Sequence, residues 1–467
     1  MKIGDVVSHD KYGRGTIKLA IPKPDGLSFR VDFGYAKITV PAKDLFIEGK
    51  GYSPGSEKRP EDGGIEVKPP PPLSTFPPLN QANLEARQGI NALKLGQILE
   101  AQVHTLSVGT EALEDSFIEV MDRAARSEPA FLLIEGAWGS GKTHALTLLQ
   151  ALARKRRFAS SAVIMDGHSV SLAKPMELMG EVTNALQFPT AKNLEGLAAW
   201  LREAIRQKKM RELRIKGAPL IGKALDSLFP GTMDDPEASQ VVEDYFSLIL
   251  STSQAKYKLS KLALPAPGLP TLRAFRVAER SQAFRELLAN WAHFTKVMGA
   301  AGLLIIFDEL DVEYAYTDWR TQYCAQLRER RHYLLSEFKN LRGAPLAVAF
   351  ASVPGLALSS NDTENDAIEH LRQVYGSRLT QVTVPIPSQE QLQELFRRIF
   401  ECYNLAYESS PIVLPESERL LLFKKIWDHY NRNPNPVPRR FVRLSLEVFD
   451  LLCTGPKQRF KDILEAL

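Results

Sequence analysis

Cysteine is scarce: Cys324, Cys402 and Cys453 are the three in a chain of 467 residues. They are scattered and show no CxxC spacing, which argues against both a disulfide framework and a zinc site. No stretch approaches the roughly 20 apolar residues that a bilayer span needs. The opening Met1-Lys2-Ile3-Gly4-Asp5 lacks the apolar run of a secretory signal. A cytoplasmic protein with no membrane partner is therefore expected. Neither sign of charge dominates, since 59 basic and 55 acidic residues leave a net +4. Such a balance permits a nucleic-acid partner without requiring one. The sequence contains no internal repeat, and no nuclease, protease or methyltransferase constellation.

What is present is an ordinary globular composition, 44% hydrophobic and 24% charged, in a chain long enough for two or three domains. Composition breaks between Gly49 and Leu79. There Pro69-Pro70-Pro71-Pro72 and Pro77-Pro78 exclude helix and central strand, so a partly extended linker is expected. Ahead of it, Gly4 to Val7, Gly15 to Leu19, Leu27 to Phe33, Lys37 to Pro41 and Asp44 to Ile47 read as short strands. Turn residues at Tyr12 to Gly15, Pro24-Asp25-Gly26 and Gly34-Tyr35 separate them. Five strands in so few residues can bury a core only by curling into a small barrel.

After the linker, strands alternate with helices. Ala130 to Glu135, Ser161 to Asp166, Leu303 to Phe307, Leu346 to Ser352 and Gln381 to Ile386 are short apolar runs, as in a parallel sheet covered on both faces. The expected class is α/β, with a small all-β module at residues 1–48 and a linker at 49–83. A core at 84–387 carries a helical insertion over about 190–300, and a helical lid follows at 388–467.

Gly136-Ala137-Trp138-Gly139-Ser140-Gly141-Lys142-Thr143 fits GxxxxGK[ST] between a buried strand and a helix, His144 to Lys155. Glycines at 136, 139 and 141 let the backbone wrap a phosphate, with Ser140 in the same loop. Lys142 is placed to neutralise β and γ oxygens, and the Thr143 hydroxyl to hold Mg²⁺. Leu303 to Phe307 followed by Asp308-Glu309 is an apolar strand ending in two carboxylates. Asp308 suits the magnesium shell and Glu309 suits polarisation of an attacking water, which is a requirement of hydrolysis rather than of binding alone. Asp311 extends the acidic run in a supporting or structural role.

Other positions leave two readings open. Ser352 ends the neighbouring strand, either bonding the γ-phosphate or water, or capping the strand. Arg378 precedes the last strand, where an arginine can reach a neighbouring subunit's nucleotide. Arg439 or Arg440, in Pro438-Arg439-Arg440-Phe441, could fold over the nucleotide or merely open a solvated helix. The runs Arg206 to Lys216 and Leu327 to His332 could track DNA phosphates or be solvated helix faces.

In this order the motifs resemble the AAA+ branch of P-loop ATPases. Within that branch, Ala86 to Leu467 resembles the ATP-binding proteins of bacterial BREX phage-defence systems. The resemblance lies in Glu85 to Gly96, Leu106 to Gly109, Gly139-Ser140-Gly141-Lys142-Thr143-His144, Gly302 to Asp311 and Val437 to Phe441. It implies an ATPase using ATP and Mg²⁺, with His144 beside the nucleotide, acting as an oligomer with other proteins of a defence complex and possible contact with DNA. The N-terminal module resembles the Tudor-like tail of UvrD/PcrA helicases through Gly4 to His9, Tyr12 to Ile17 and Phe29 to Gly34. That implies a docking module, in which His9 fits a turn. Three roles stay open: remodelling or recruiting a DNA-linked complex, a nucleotide-gated scaffold, and a signalling ATPase that releases a separate effector.

Overall fold

The structure is a computed structural model. It describes the strands between residues 6 and 47, and residues 80–467 apart from 129, 190–195, 275, 318–320, 355–366, 409, 433–436 and 454–457. The chain divides into two compact units, Met1–Pro77 and Pro78–Leu467.

The first unit holds β1 (Val6–His9), β2 (Gly13–Lys23), β3 (Gly26–Asp32), β4 (Lys37–Pro41) and β5 (Phe46–Ile47). They form one antiparallel sheet in the order β4-β3-β2-β1-β5. Lys23 faces Gly26 across the β2–β3 hairpin, the position marked by Pro24-Asp25-Gly26. Among the described residues the two edge strands, β4 and β5, pair only inward, so closure into a barrel is not shown. Residues 49–79 of the expected linker and the turn residues Tyr12, Gly34 and Tyr35 lie outside the described residues, and the last linker positions, Gln81 to Asn83, belong instead to the first helix of the second unit.

The second unit is built on a six-stranded sheet in the order β11-β6-β10-β9-β7-β8. Its strands are β6 (Ala130–Glu135), β7 (Ala159–Ile164), β8 (Leu186–Gln187), β9 (Leu303–Asp308), β10 (Leu346–Ser352) and β11 (Leu379–Thr383). All neighbours are parallel except the short β8, which is antiparallel to β7. Alternation along each strand splits the core in two. Leu303, Ile305, Phe307, Val348 and Phe350 face one layer, whereas Leu304, Ile306, Ala347, Ala349 and Ala351 face the other. The three alanines leave room for α3 (Glu111–Ala125) and α4 (Lys142–Lys155) to lie close against the sheet centre.

The insertion folds as α6 (Gly196–Arg206), α7 (Met210–Ile215), α8 (Pro219–Asp226), α9 (Pro236–Phe246), α10 (Thr252–Lys261) and α11 (Val277–Val297). It is not an appendage. Trp200, Phe246, Trp291 and Phe294 join the same apolar cluster as Phe307 and Phe350, so the insertion completes one face of the sheet.

β11 starts and stops two to three residues before the expected Gln381–Ile386. Val384 still donates to the Glu135 carbonyl at 2.8 Å, but Pro385 and Pro387 have no N–H to extend the ladder. After Pro387, α15 (Gln389–Ala406) opens with a Ser388–Gln391 capping box. It packs with α16 (Glu416–Asn431), α17 (Pro438–Cys453) and α18 (Gln458–Ala466) around Phe396, Phe441 and Phe449. The expected lid is therefore helical, with one addition. α1 (Gln81–Lys94) packs into it through Ala86 and Ile90, tied by Lys94 to Asp450 at 2.7 Å.

Candidate functional site

β10 lies between the strand that feeds the glycine loop, β6, and the strand that ends in carboxylates, β9. In a parallel sheet all carboxyl ends face the same crevice, so Glu135, Ser352 and Asp308 finish at one edge. The Gly136 N–H donates to the Ser352 carbonyl at 3.3 Å, which carries the loop across that edge. A Cβ on Gly136 would stand 2.3 Å from Ser140 Oγ, and Gly141 has φ +107°, open to glycine but costly for other residues. α4 begins at Lys142, two residues earlier than the sequence suggests, and no side chain caps it. Its leading N–H groups are thus left for an anion, which the helix dipole also favours.

Lys142 is buried, and its Nζ donates to the Gly136 carbonyl at 2.9 Å and the Ala137 carbonyl at 3.3 Å. It also stands 5.4 Å from the ring centroid of Trp138, an indole that is 57% exposed. Burial lowers its pKa, while Asp311, Asp308 and Glu309 pull the other way.

Asp308 is 8% exposed. Its Oδ2 accepts from Thr143 Oγ1 at 3.3 Å, and its Oδ1 from the Glu309 N–H at 2.8 Å. Burial raises the pKa of Asp308. Glu309 is raised by burial and then by the charges of Asp308 and Asp311. Asp311 accepts from the Val353 N–H at 3.2 Å, which ties the start of α12 (Leu310–Thr317) to the end of β10. Glu309 itself has φ +56°, a left-handed conformation rare in residues with side chains and concentrated at functional sites.

A cavity of about 240 Å³ opens from these groups. Its lining joins the polar Lys142, Thr143, Asp308 and Glu309 to the apolar Leu106, Val108, Leu395 and Ile399, which belong to the cluster around α15. His144 lies on the wall and shares a 2.7 Å hydrogen bond with Ser107 Oγ. Burial holds the His144 imidazole down at about 4. From the lid, Arg439 lines the cavity and its N–H reaches the Gly139 carbonyl at 3.5 Å, while Arg440 is not among the lining residues. The pair left open by the sequence is thus separated by the helical phase of α17.

Ser352 is fully buried and its Oγ has no hydrogen-bond partner. It therefore caps nothing in the protein. Ser352→Ala is expected to leave stability within about 0.5 kcal/mol in urea unfolding, since no protein hydrogen bond is lost. A loss above about 1.5 kcal/mol would assign the hydroxyl a structural partner instead. Arg378 sits on the surface in a single helical turn before β11, outside this chain's own cavity.

Several contacts were not legible in the sequence. Arg372 on α14 (Ala367–Tyr375) binds Glu135 at 3.1 Å, bracing the end of the strand that feeds the glycine loop. The run Leu327 to His332 lies on α13 (Gln322–Phe338), with Arg328, Glu329, Arg330 and His332 exposed or half-exposed but Arg331 turned inward. Arg331 is fully buried, its guanidinium 3.5 Å from the centroid of Tyr314, whose hydroxyl bonds His370 at 2.7 Å. His332 bonds the other His370 nitrogen at 2.9 Å. Burial and the neighbouring Arg331 and His332 hold His370 down at about 3. The run Arg206 to Lys216 is largely paired: Lys209 and Lys216 bind Glu212 at 2.7 Å, Arg214 binds Asp226 at 3.2 Å, and Arg206 binds Glu203. Three acids thus face six basic residues, and the exposed run keeps a net positive charge.

The glycine loop, the uncapped helix and the facing carboxylates have the arrangement of a P-loop nucleotide site on an α/β sheet. Residues 82–216, under a third of the chain, match the family model described as BREX system ATP-binding protein BrxC/D. That stretch contains the whole glycine loop and ends before Asp308. No curated protein matches the sequence. Among solved structures the chain is similar to one described as "Structure of E. coli MS115-1 HORMA:CdnC:Trip13 complex", at 11% identity and a TM-score of 0.39, over 79% of this chain and 91% of that one. Among the described residues no helix is long and apolar enough to cross a membrane.

Proposed function

We propose that this chain binds ATP with Mg²⁺ and hydrolyses it, as an AAA+-type ATPase serving a bacterial anti-phage complex. One observation carries the chemical part. Thr143 and Asp308, 165 positions apart in sequence, meet at 3.3 Å beside Lys142, which is itself buried near three carboxylates. Lys142 Nζ is held by loop carbonyls, which a triphosphate would replace as acceptors.

The oxygen donors fit magnesium, which is held by few protein ligands together with phosphate oxygens and water. Among the described residues no group of three or more His, Cys, Asp or Glu forms a metal site of the all-protein kind. Thr143 Oγ1 and the Asp308 carboxylate would hold the ion, which would neutralise phosphate charge. The α4 N–H groups and Lys142 bind the β and γ phosphates. Glu309, less buried than Asp308 and with its pKa raised by burial and then by the charges of Asp308 and Asp311, accepts a proton from the attacking water. Ser352, unpaired between the two motif strands, orients that water or the γ-phosphate. Arg439 closes the cavity from the lid. Arg378, on the surface, serves the nucleotide of a neighbouring copy, and this is the reason to expect an oligomer.

Phosphate release by the purified chain with ATP and magnesium tests the reading, and release no faster than in a blank removes it. The defence role rests on the family match over 82–216 and extends to partner proteins. Residues 1–48 would then be a docking module. Deleting them should leave ATP hydrolysis within about twofold, as the two compact units divide at Pro77. A tenfold loss would contradict an independent module.

A further inference from the structure

On the cavity wall, His144 makes a hydrogen bond whose direction follows from its partner's other contact. Ser107 directly follows α2 (Glu100–Leu106) and is 8% exposed; its Oγ donates to the Val103 carbonyl one turn back at 2.6 Å. A hydroxyl has a single proton. Toward His144, 2.7 Å away, Ser107 Oγ can therefore only accept, and Nε2 of the imidazole carries the hydrogen. In the neutral ring the other nitrogen, Nδ1, keeps its lone pair and is the one left to a ligand, because His144 lines the cavity.

The place of this acceptor selects what it can meet. His144 follows Thr143 directly, so it adjoins the loop that would hold phosphate. Its partner Ser107 sits between Leu106 and Val108, apolar lining residues suited to a base. In a nucleotide the sugar lies between phosphate and base, the place a side chain bridging these two groups would meet. A lone-pair nitrogen repels phosphate oxygens and needs a donor opposite it. On a nucleoside triphosphate the donors are the sugar hydroxyls and, on some bases, an exocyclic amine.

We propose that His144 is a specificity-determining residue that accepts a hydrogen bond from a sugar hydroxyl, so that the site prefers ribonucleoside over deoxyribonucleoside triphosphates. This rests on the nucleotide-site reading above. The Val103–Ser107–His144 chain acts by holding the ring so that Nδ1 is the free acceptor. Ser107 is thus a positioning residue, and His144 is the residue that touches substrate.

Dissociation constants of the full chain for ATP, 2′-deoxy-ATP, 3′-deoxy-ATP and inosine triphosphate, at fixed magnesium, test the proposal. One neutral hydrogen bond corresponds to roughly a fivefold difference, so at least one deoxy analogue should bind about fivefold more weakly than ATP. His144→Phe keeps a ring of similar shape and should bring ATP to the level of that analogue, leaving the analogue within about twofold. Ser107→Ala keeps the imidazole but frees its orientation, and should reduce the preference in part. Equal affinity of the wild type for ATP and both deoxy analogues would overturn the proposal, as would a preference that survives His144→Phe. A His144-dependent preference between ATP and inosine triphosphate alone would assign the ring to the base and overturn it as well. In each of these cases ATP still binds and the nucleotide site stands. Absence of ATP binding altogether would take both down.

Discussion

Glu309→Gln should slow ATP hydrolysis by roughly 100- to 10,000-fold, the range expected when a positioned general base is removed. ATP affinity should change little. The amide keeps the size of the carboxylate, and the contacts that place Asp308 do not involve the Glu309 side chain: Asp308 accepts from Thr143 and from the Glu309 backbone N–H. The change also removes a negative charge from a site that already holds Asp308 and Asp311, whose charges, after burial, raise the Glu309 pKa. For that reason a slight gain in affinity for the tetra-anionic nucleotide is the expected direction. Phosphate release and a nucleotide titration on the same preparation check it. A variant that hydrolyses ATP at the parental rate would take the water-activating role away from Glu309.

Lys142→Ala should weaken ATP binding by at least about 100-fold, since it deletes charge-assisted hydrogen bonds made in a largely buried setting. Fold stability should suffer less than the burial of Lys142 suggests. Its two protein partners are the carbonyls of Gly136 and Ala137 in the loop itself, and burial already disfavours the ammonium. Unchanged affinity in a folded variant, checked by calorimetric titration alongside thermal unfolding, would remove the phosphate-site assignment.

Residues that act through contiguous spacing were legible in the sequence. The glycine loop needs a strand, a tight backbone and a helix start in immediate succession, so Gly136 to Thr143 could be placed directly. The Leu303 to Glu309 run was similarly plain, because an apolar strand that ends in two acids has few other uses. Three features depend on long-range geometry and were not legible. α1 belongs to the core of the lid, a pairing across more than 300 residues. Arg331 sits in a run that looks like a charged face, yet it is fully buried over Tyr314. That Arg439 and not Arg440 lines the cavity follows from where α17 meets the glycine loop. The insertion is a fourth case. Its helices carry apolar residues at ordinary spacing, and only the fold reveals that Trp291 and Phe294 share a core with the sheet.

One substitution on the cavity wall should remove selectivity at a cost of only about fivefold in ATP affinity, far less than Lys142→Ala. Charge and backbone donors hold the phosphates, whereas His144 offers a single directional acceptor on the wall. The two effects are separable by choice of nucleotide.

The most direct measurement is an experimental structure with magnesium and a non-hydrolysable ATP analogue. The account predicts the β and γ phosphates within hydrogen-bond distance of Lys142 Nζ and the first N–H groups of α4, with Thr143 and Asp308 sharing the metal ion and the Glu309 carboxylate facing the γ-phosphate. An analogue bound elsewhere, or seated in the loop with Asp308 and Glu309 turned away from it, would contradict the account.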